Sequence, residues 1–208
     1  LHVRSRRQRQ MCIRDSFLNT GAMYRALTWY ALQQHADLND PAALTTLATT
    51  IPMQVEAVAH APRILIEGRD VTRFLHGEEV NSAVSQVSAV PGVREQMIAR
   101  QRQIIQAAQA SGRGIVAEGR DITTVVAPDA DVKILLTASP EVREQRRAQQ
   151  PGAGSDAVAA RDLADSQVNN FTTPAPGVEL LDSSDLDEQE TMEAVVEMVG
   201  RTFRARQG

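Results

Sequence analysis

Lysine is almost missing from these 208 residues: Lys133 is the only one, and it sits inside the apolar run Val132-Lys133-Ile134-Leu135-Leu136. The phosphate-cradling pattern G-x-x-x-x-G-K-[ST] requires a lysine after its second glycine, so it occurs nowhere in the chain, even in disguised form. Cysteine is equally scarce. The single Cys12 excludes an intramolecular disulfide and fits a reducing compartment, so a cytoplasmic location is expected. No apolar stretch approaches the roughly 20 residues that a membrane-spanning helix needs, and no membrane partner is expected. Internal repeats and low-complexity tracts are also lacking. What remains is 42% apolar and 23% charged, an ordinary globular composition long enough for one domain with a core and a small insert.

The net charge of −4 is unevenly spread. Residues 1–16 hold five arginines and one aspartate, +4, which leaves −8 on residues 17–208. An acidic body argues against nonspecific nucleic-acid binding. The basic head admits two readings. Arg4-Ser5-Arg6-Arg7-Gln8-Arg9 could serve as a basic arm for nucleic acid or anionic lipid. Alternatively, Met11-Cys12-Ile13-Arg14-Asp15-Ser16 matches the in-frame translation of a transposon-end adapter used in sequencing libraries. On that second reading residues 1–16 are a non-native remnant, excluded from fold reasoning, and the natural text starts near Phe17.

From Phe17 onward strands alternate with helices. Phe17-Leu18-Asn19 reads as a strand stub, with Thr20 as the cap of a helix from about Gly21 to Gln34. Pro41 opens a second helix to about Thr50. Met53–Val58, Arg63–Ile66 and Val71–Leu75 read as a three-strand insert, followed by helices over Glu78–Ala89 and Val93–Ala110. In the second of these, Val93, Met97, Ile104 and Ile105 form a core stripe. Gly114–Ala117, Val132–Leu136 and Val178–Leu181 read as short buried strands. Ser139 with Pro140 starts one more helix, Asp156 to about Val168 another, and Asp187 with Glu190 caps the last, which runs to about Phe203. This order implies an α/β fold: a mostly parallel sheet covered by helices on both faces.

In such sheets ligands bind beyond the carboxyl ends of the strands, where two short motifs fall. Thr20-Gly21-Ala22-Met23-Tyr24-Arg25 places amides at a helix N-terminus, suited to an anion, with Arg25 able to return toward it. The plainer alternative is a capping threonine and a solvated arginine. Glu118-Gly119-Arg120-Asp121 combines close backbone approach at glycine, a guanidinium fork for phosphate, and a carboxylate acceptor for an exocyclic amine. Cytosine offers an N4 amino donor beside N3 and O2 acceptors, so an aspartate and an arginine together read it. A loop ion pair of Arg120 with a neighbouring acid is the bland reading.

Taken in order, these motifs resemble bacterial cytidylate kinase from about Phe17 to the C-terminus. Leu18–Arg25 is similar to that family's first substrate motif, and Ala83-Val84-Ser85-Gln86-Val87 and Val93-Arg94-Glu95 to its next two. Ala117–Asp121 with Thr124-Val125-Val126 resembles the fourth, with Thr123 where the family often has glycine. Arg143, Arg146 and Arg147 resemble its ATP-side arginines, and Arg161-Asp162 with Asp165 its lid motif, with Val168 in place of a further arginine. The resemblance implies a P-loop-kinase-like parallel sheet flanked by helices. It implies an enlarged three-stranded substrate-binding insert within residues 53–90 and a lid within 149–170. The family's first strand and its Lys-containing phosphate loop have no counterpart here, so a fragment is expected. The loop strand lies in the family between those matching Gly114–Ala117 and Val132–Leu136, so a gap between these two is expected.

The resemblance also implies residue roles. Thr20, Arg94 and Asp121 would contact cytosine; Ser85, Arg161 and Asp165 would face the sugar. Arg25 and Arg120 would hold the acceptor phosphate, and Arg146 and Arg147 would lie toward ATP, although a solvated helix face is the alternative for that pair. Arg120, Asp121 and Arg161 are the candidate catalytic groups, and no protein metal site is implied. The activity implied is transfer of the γ-phosphoryl of ATP to CMP or dCMP with Mg²⁺, giving ADP and CDP or dCDP, by a monomer. Loss of the ATP cradle makes activity of this chain itself doubtful. A nucleotide-binding protein without catalysis, and a kinase of dual UMP/CMP specificity, are the alternatives.

Overall fold

The first described strand, β1 (Ser16–Asn19), passes without a loop into helix α1 (Thr20–Gln33). The computed structural model describes residues 16–59, 61–148 and 174–205. The head up to Asp15, the lid region 149–170 and the helix expected over Asp156–Val168 lie outside those residues. Asn19, not Thr20, caps α1: it is extended, and its Oδ1 accepts from Ala22 N–H at 2.9 Å. Both residue types cap well; the backbone conformation decides which position does so. Thr20 is already helical, and its hydroxyl is turned elsewhere.

Helix α2 (Pro41–Thr50) begins at Asp40, whose carboxylate accepts from Ala42 and Ala43 N–H, with proline at the first helical position. The insert is an antiparallel sheet of order β2 (Met53–Glu56), β3 (Arg63–Ile66) and β4 (Arg69–Asp70). Its third strand is earlier and shorter than the Val71–Leu75 expected. Ile66 pairs with Arg69, so Glu67-Gly68 forms a two-residue turn with φ of 52° and 75°. Positive φ at both positions is the hairpin turn that matches strand twist. The following Thr72–Phe74 is a 3₁₀ turn that buries Val71 and Leu75. These two lie four residues apart, the helical spacing, and that spacing overrides the β-branched character of the segment.

Helices α3 (Glu78–Ala89) and α4 (Pro91–Ala110) follow, hinged at Val90. Val93 and Met97 on α4 are fully buried, and Ile104 and Ile105 pack against the same core, as their spacing implies. That core lies between β1, α1–α4 and the inner face of the insert, where Leu18, Met23, Leu27, Leu44 and Ile66 meet. Strand β5 (Ile115–Glu118) runs parallel to β1, then a π-helical turn, Ile122–Val126, leads away. Beyond it, β6 (Ile134–Thr137) pairs in parallel with β7 (Glu179–Asp182). Ser139 starts α5 (Pro140–Ala148), and the reciprocal Asp187–Glu190 capping box starts α6 (Glu188–Ala205).

The α/β class, with parallel strands flanked by helices and a small antiparallel sheet, is therefore observed. The sheet is not continuous. Among the described residues β1–β5 and β6–β7 are separate two-stranded sheets, and no ladder joins β5 to β6. Among the described residues the cover of these strands is incomplete. Val116 on β5, Leu136 on β6 and Leu180 on β7 are 53%, 45% and 51% exposed. Strands without a common neighbour offer no continuous surface for a helix to cover.

Close contact between α2 and α4 depends on Gly92, where a Cβ would lie 2.3 Å from Thr45 Oγ1. Thr45 cannot swing away cheaply, because that hydroxyl donates to Pro41 O at 2.7 Å. Gly92→Ala is expected to lower the unfolding free energy by about 1–3 kcal/mol, and Thr45→Ala in the same chain to recover most of it. Urea denaturation of the three variants checks this; an undiminished Gly92→Ala protein would show that α2 yields.

Candidate active site

The β1–β5 register pairs Asn19 with Glu118, so the chain leaves both strands side by side at their carboxyl ends. One exit is the first turn of α1; the other is Gly119-Arg120-Asp121. Thr20 Oγ1 stitches them by donating to Glu118 O at 2.8 Å, and Thr20 is buried. Gly119 is needed here for contact: a Cβ would fall 2.1 Å from Thr20 Oγ1 and 3.1 Å from the Ile122 side chain.

Asp121 follows, buried at 5% exposure, and its Oδ2 accepts from Arg94 Nη2 on α4 at 2.8 Å. A charge-assisted bond of this kind is short and strong. Three elements thus converge on one point: α1 through Thr20, the β5 exit through Asp121, and α4 through Arg94. Arg120 is exposed at the bend between Gly119 and Asp121.

Beneath the Arg94–Asp121 pair lies a second polar layer. Burial, then the nearby Asp121 carboxylate, push the Tyr24 hydroxyl up to about 12, partly offset by Arg94 and by the Gln101 amide. Gln101 is fully buried on α4, seven residues after Arg94. Although Tyr24 and Gln101 are neighbours, the Tyr24 hydroxyl and both polar atoms of the Gln101 amide lack a partner of hydrogen-bond geometry. Each such group costs about 1–3 kcal/mol when left unsatisfied in a core.

Arg25 reaches from α1 to the insert side, donating from Nη1 to Asn81 Oδ1 at 2.6 Å and to Leu75 O at 3.1 Å. Ser85 is half-buried on α3, one helical turn beyond Asn81. Arg146 on α5 donates to Ser183 Oγ, Ser183 O and Leu186 O at 2.9, 2.7 and 2.9 Å, anchoring the loop between β7 and α6. The structure therefore brings Thr20, Arg94 and Asp121 together and sets Arg25 against the insert. Arg161, Asp165 and the side chain of Arg147 lie outside the described residues. Gln101 and Asn81 belong to no motif singled out in the sequence. Gln101 does leave a trace there, as the one polar position in the stripe Val93, Met97, Gln101, Ile105 and Ala108.

The cytidylate kinase family model matches residues 9–201, nearly the whole chain, from ahead of β1 into α6. The chain belongs to the cytidylate kinase family. It is 42% identical over 192 residues to the cytidylate kinase of Streptomyces avermitilis, covering 88% of this chain and 81% of that one. The cytidylate kinase of Rhodococcus jostii is 44% identical over 180 residues (82% and 77%), and that of Geobacillus kaustophilus 40% over 195 (88% and 84%). Membership makes this a phosphotransferase fold with nucleotides as its substrate class. No helix among the described residues is long and apolar enough to cross a membrane.

Tyr24 gives this cluster a pH signature. Because its folded pKa lies above the ordinary value of 10, the neutral phenol's contribution is fully present below pH 10 and is lost as pH rises toward 12. The unfolding free energy is expected to fall by up to about 1.4 kcal/mol per pH unit across that window. Tyr24→Phe should flatten this fall in urea titrations at pH 9 to 12; an unchanged slope would place the hydroxyl in water.

Proposed function

We propose that the Thr20–Arg94–Asp121 cluster is the acceptor site of a kinase that transfers the γ-phosphoryl of ATP to CMP or dCMP. The observation that carries the reading is the partly buried Arg94–Asp121 ion pair, held beside Thr20 at the ends of two parallel strands. A carboxylate that accepts and a guanidinium that donates match the N4 amine and the N3 and O2 acceptors of cytosine. Family membership supports the same substrate.

In this reading Thr20, Arg94 and Asp121 hold the base, and Ser85, Arg161 and Asp165 the sugar. Arg25 and Arg120 neutralise the acceptor phosphate, whose oxygen attacks the γ-phosphorus in line while ADP departs. Arg120 and Arg161 stabilise the charge that develops; a phosphate monoester is mostly dianionic near pH 7, so its oxygen attacks without a base, and Asp121 stays with cytosine. Arg146 and Arg147 lie toward ATP. Among the described residues no group of three or more His, Cys, Asp or Glu side chains is placed to hold a metal. Mg²⁺ would enter with ATP as part of the substrate and neutralise the phosphate charge there.

The Lys-containing phosphate loop that would cradle ATP is not among these 208 residues. The expected behaviour of the purified chain is therefore binding of CMP without transfer. Losing one arginine of a phosphoryl-transfer site already lowers rates by about 10³–10⁵. ADP formation from ATP and CMP, above a no-enzyme control and abolished by Arg120→Ala, would overturn that expectation.

Asp121→Ala is expected to weaken CMP binding by about ten- to a hundredfold, as loss of a bond to a charged acceptor does, and to leave UMP much less affected. Calorimetric titration of both nucleotides measures this. Equal losses toward CMP and UMP would make Asp121 a structural residue.

A further inference from the structure

The Arg94–Asp121 pair does not rest on an apolar floor. One helical turn along α1 from Thr20 is Tyr24, 9% exposed, and two turns along α4 from Arg94 is Gln101, fully buried. They come from α1 and α4, the helices that also deliver Thr20 and Arg94. A packing role at these positions calls for phenylalanine and for leucine or methionine, which fill the same volume and leave nothing unsatisfied. Instead three polar atoms, Tyr24 Oη and Gln101 Oε1 and Nε2, are enclosed without a hydrogen-bond partner. Two of the three, the Tyr24 hydroxyl and Gln101 Nε2, are accounted for if they pair in another arrangement of the site.

The direction of that satisfaction follows from donor and acceptor chemistry. Asp121 is an acceptor, Tyr24 can donate one proton and accept, and Gln101 Nε2 can only donate. Arg94 now holds Oδ2 of Asp121 at 2.8 Å. If Arg94 turns toward the acceptors of a bound base, Asp121 needs a replacement donor, and the unpartnered Tyr24 hydroxyl, close enough to feel the Asp121 charge, is the group able to provide one. Gln101 then donates to the phenol oxygen. Resting on the acceptor-site reading given above, we infer that Gln101 and Tyr24 form a relay, Gln101 N–H to Tyr24 O–H to Asp121, that positions Asp121 as an acceptor and so selects an amino-bearing pyrimidine over an oxo-bearing one. Both are positioning residues: neither touches the base, and each acts through Asp121.

The relay has a consequence that filling space does not. Removing either member breaks the same chain, so the two losses should not add. The test is calorimetric titration of CMP and UMP into the full 208-residue chain and its Tyr24→Phe, Gln101→Met and double variants, with thermal melts of all four. The expected result is a CMP affinity about tenfold lower in each single variant, the loss of one bond to a charged group, with UMP affinity unchanged. The double variant should be no weaker than the singles, and no variant should melt below the parent, since each removes unsatisfied polar atoms. Parallel losses for CMP and UMP, additive losses, unchanged CMP affinity, or a lower melting temperature would each overturn the relay. If the parent chain binds CMP, these failures strike the relay alone. If the parent binds neither nucleotide, the acceptor-site reading falls and takes the relay with it.

Discussion

The parallel pairing of Ser16–Asn19 with Ile115–Glu118 is the constraint on which the site depends. Its register brings two sequence-distant motifs out at the same level. The Thr20 hydroxyl then fastens the exit of one strand to the last carbonyl of the other, 98 residues away. A one-residue slip would turn every side chain of β5 to the opposite face and carry the Glu118–Asp121 exit out of step with α1. Little else holds this half of the sheet. β5 has β1 as its partner and no other strand among the described residues, so the tight seat of Gly119 against Thr20 and Ile122 supplies what a wider sheet would give.

On this frame sits a polar cluster of unusual depth. The Arg94–Asp121 bond is mostly enclosed, and the layer beneath it holds an amide and a phenol that geometry leaves unanswered. Burying charge is tolerated when its hydrogen bonds are complete; here the pair is complete and its support is not. Stability and recognition therefore pull apart at Tyr24 and Gln101. The first favours apolar replacements and the second forbids them.

Much of this was legible in the sequence, for local reasons. The stripe on α4, the Asp187–Glu190 box and the Ser139-Pro140 start follow from spacing and capping chemistry that tertiary contacts did not override. The Glu118-Gly119-Arg120-Asp121 and Thr20–Arg25 motifs also placed themselves, because strand ends are where such residues serve. What was not legible required knowing partners far along the chain. Thr20 was expected to cap its own helix, but its hydroxyl is claimed by a carbonyl on β5, and Asn19 takes the cap. Val71–Leu75 reads as a strand by composition, yet burial of its ends makes it a turn. Gln101 is one polar letter in an apolar stripe, and only the position of Tyr24 and Asp121 across the core gives it meaning. The separation of β5 from β6 follows from strand order, which spacing along a chain does not encode; only the family resemblance, whose intervening strand has no counterpart here, makes that gap expected.

The Arg25 contact has a thermodynamic side. Its guanidinium is held between the Asn81 amide and the Leu75 carbonyl, acceptors that belong to the insert and the start of α3. Any anion drawn to Arg25 competes with those acceptors, so its measured affinity is the difference between two attachments and not the strength of one. The exchange is reciprocal. Whatever releases Arg25 from Asn81 also loosens a tie between α1 and the insert, and whatever shifts the insert changes how available Arg25 is. A small antiparallel sheet can in this way tune, from a distance, how tightly an anion is held at Arg25.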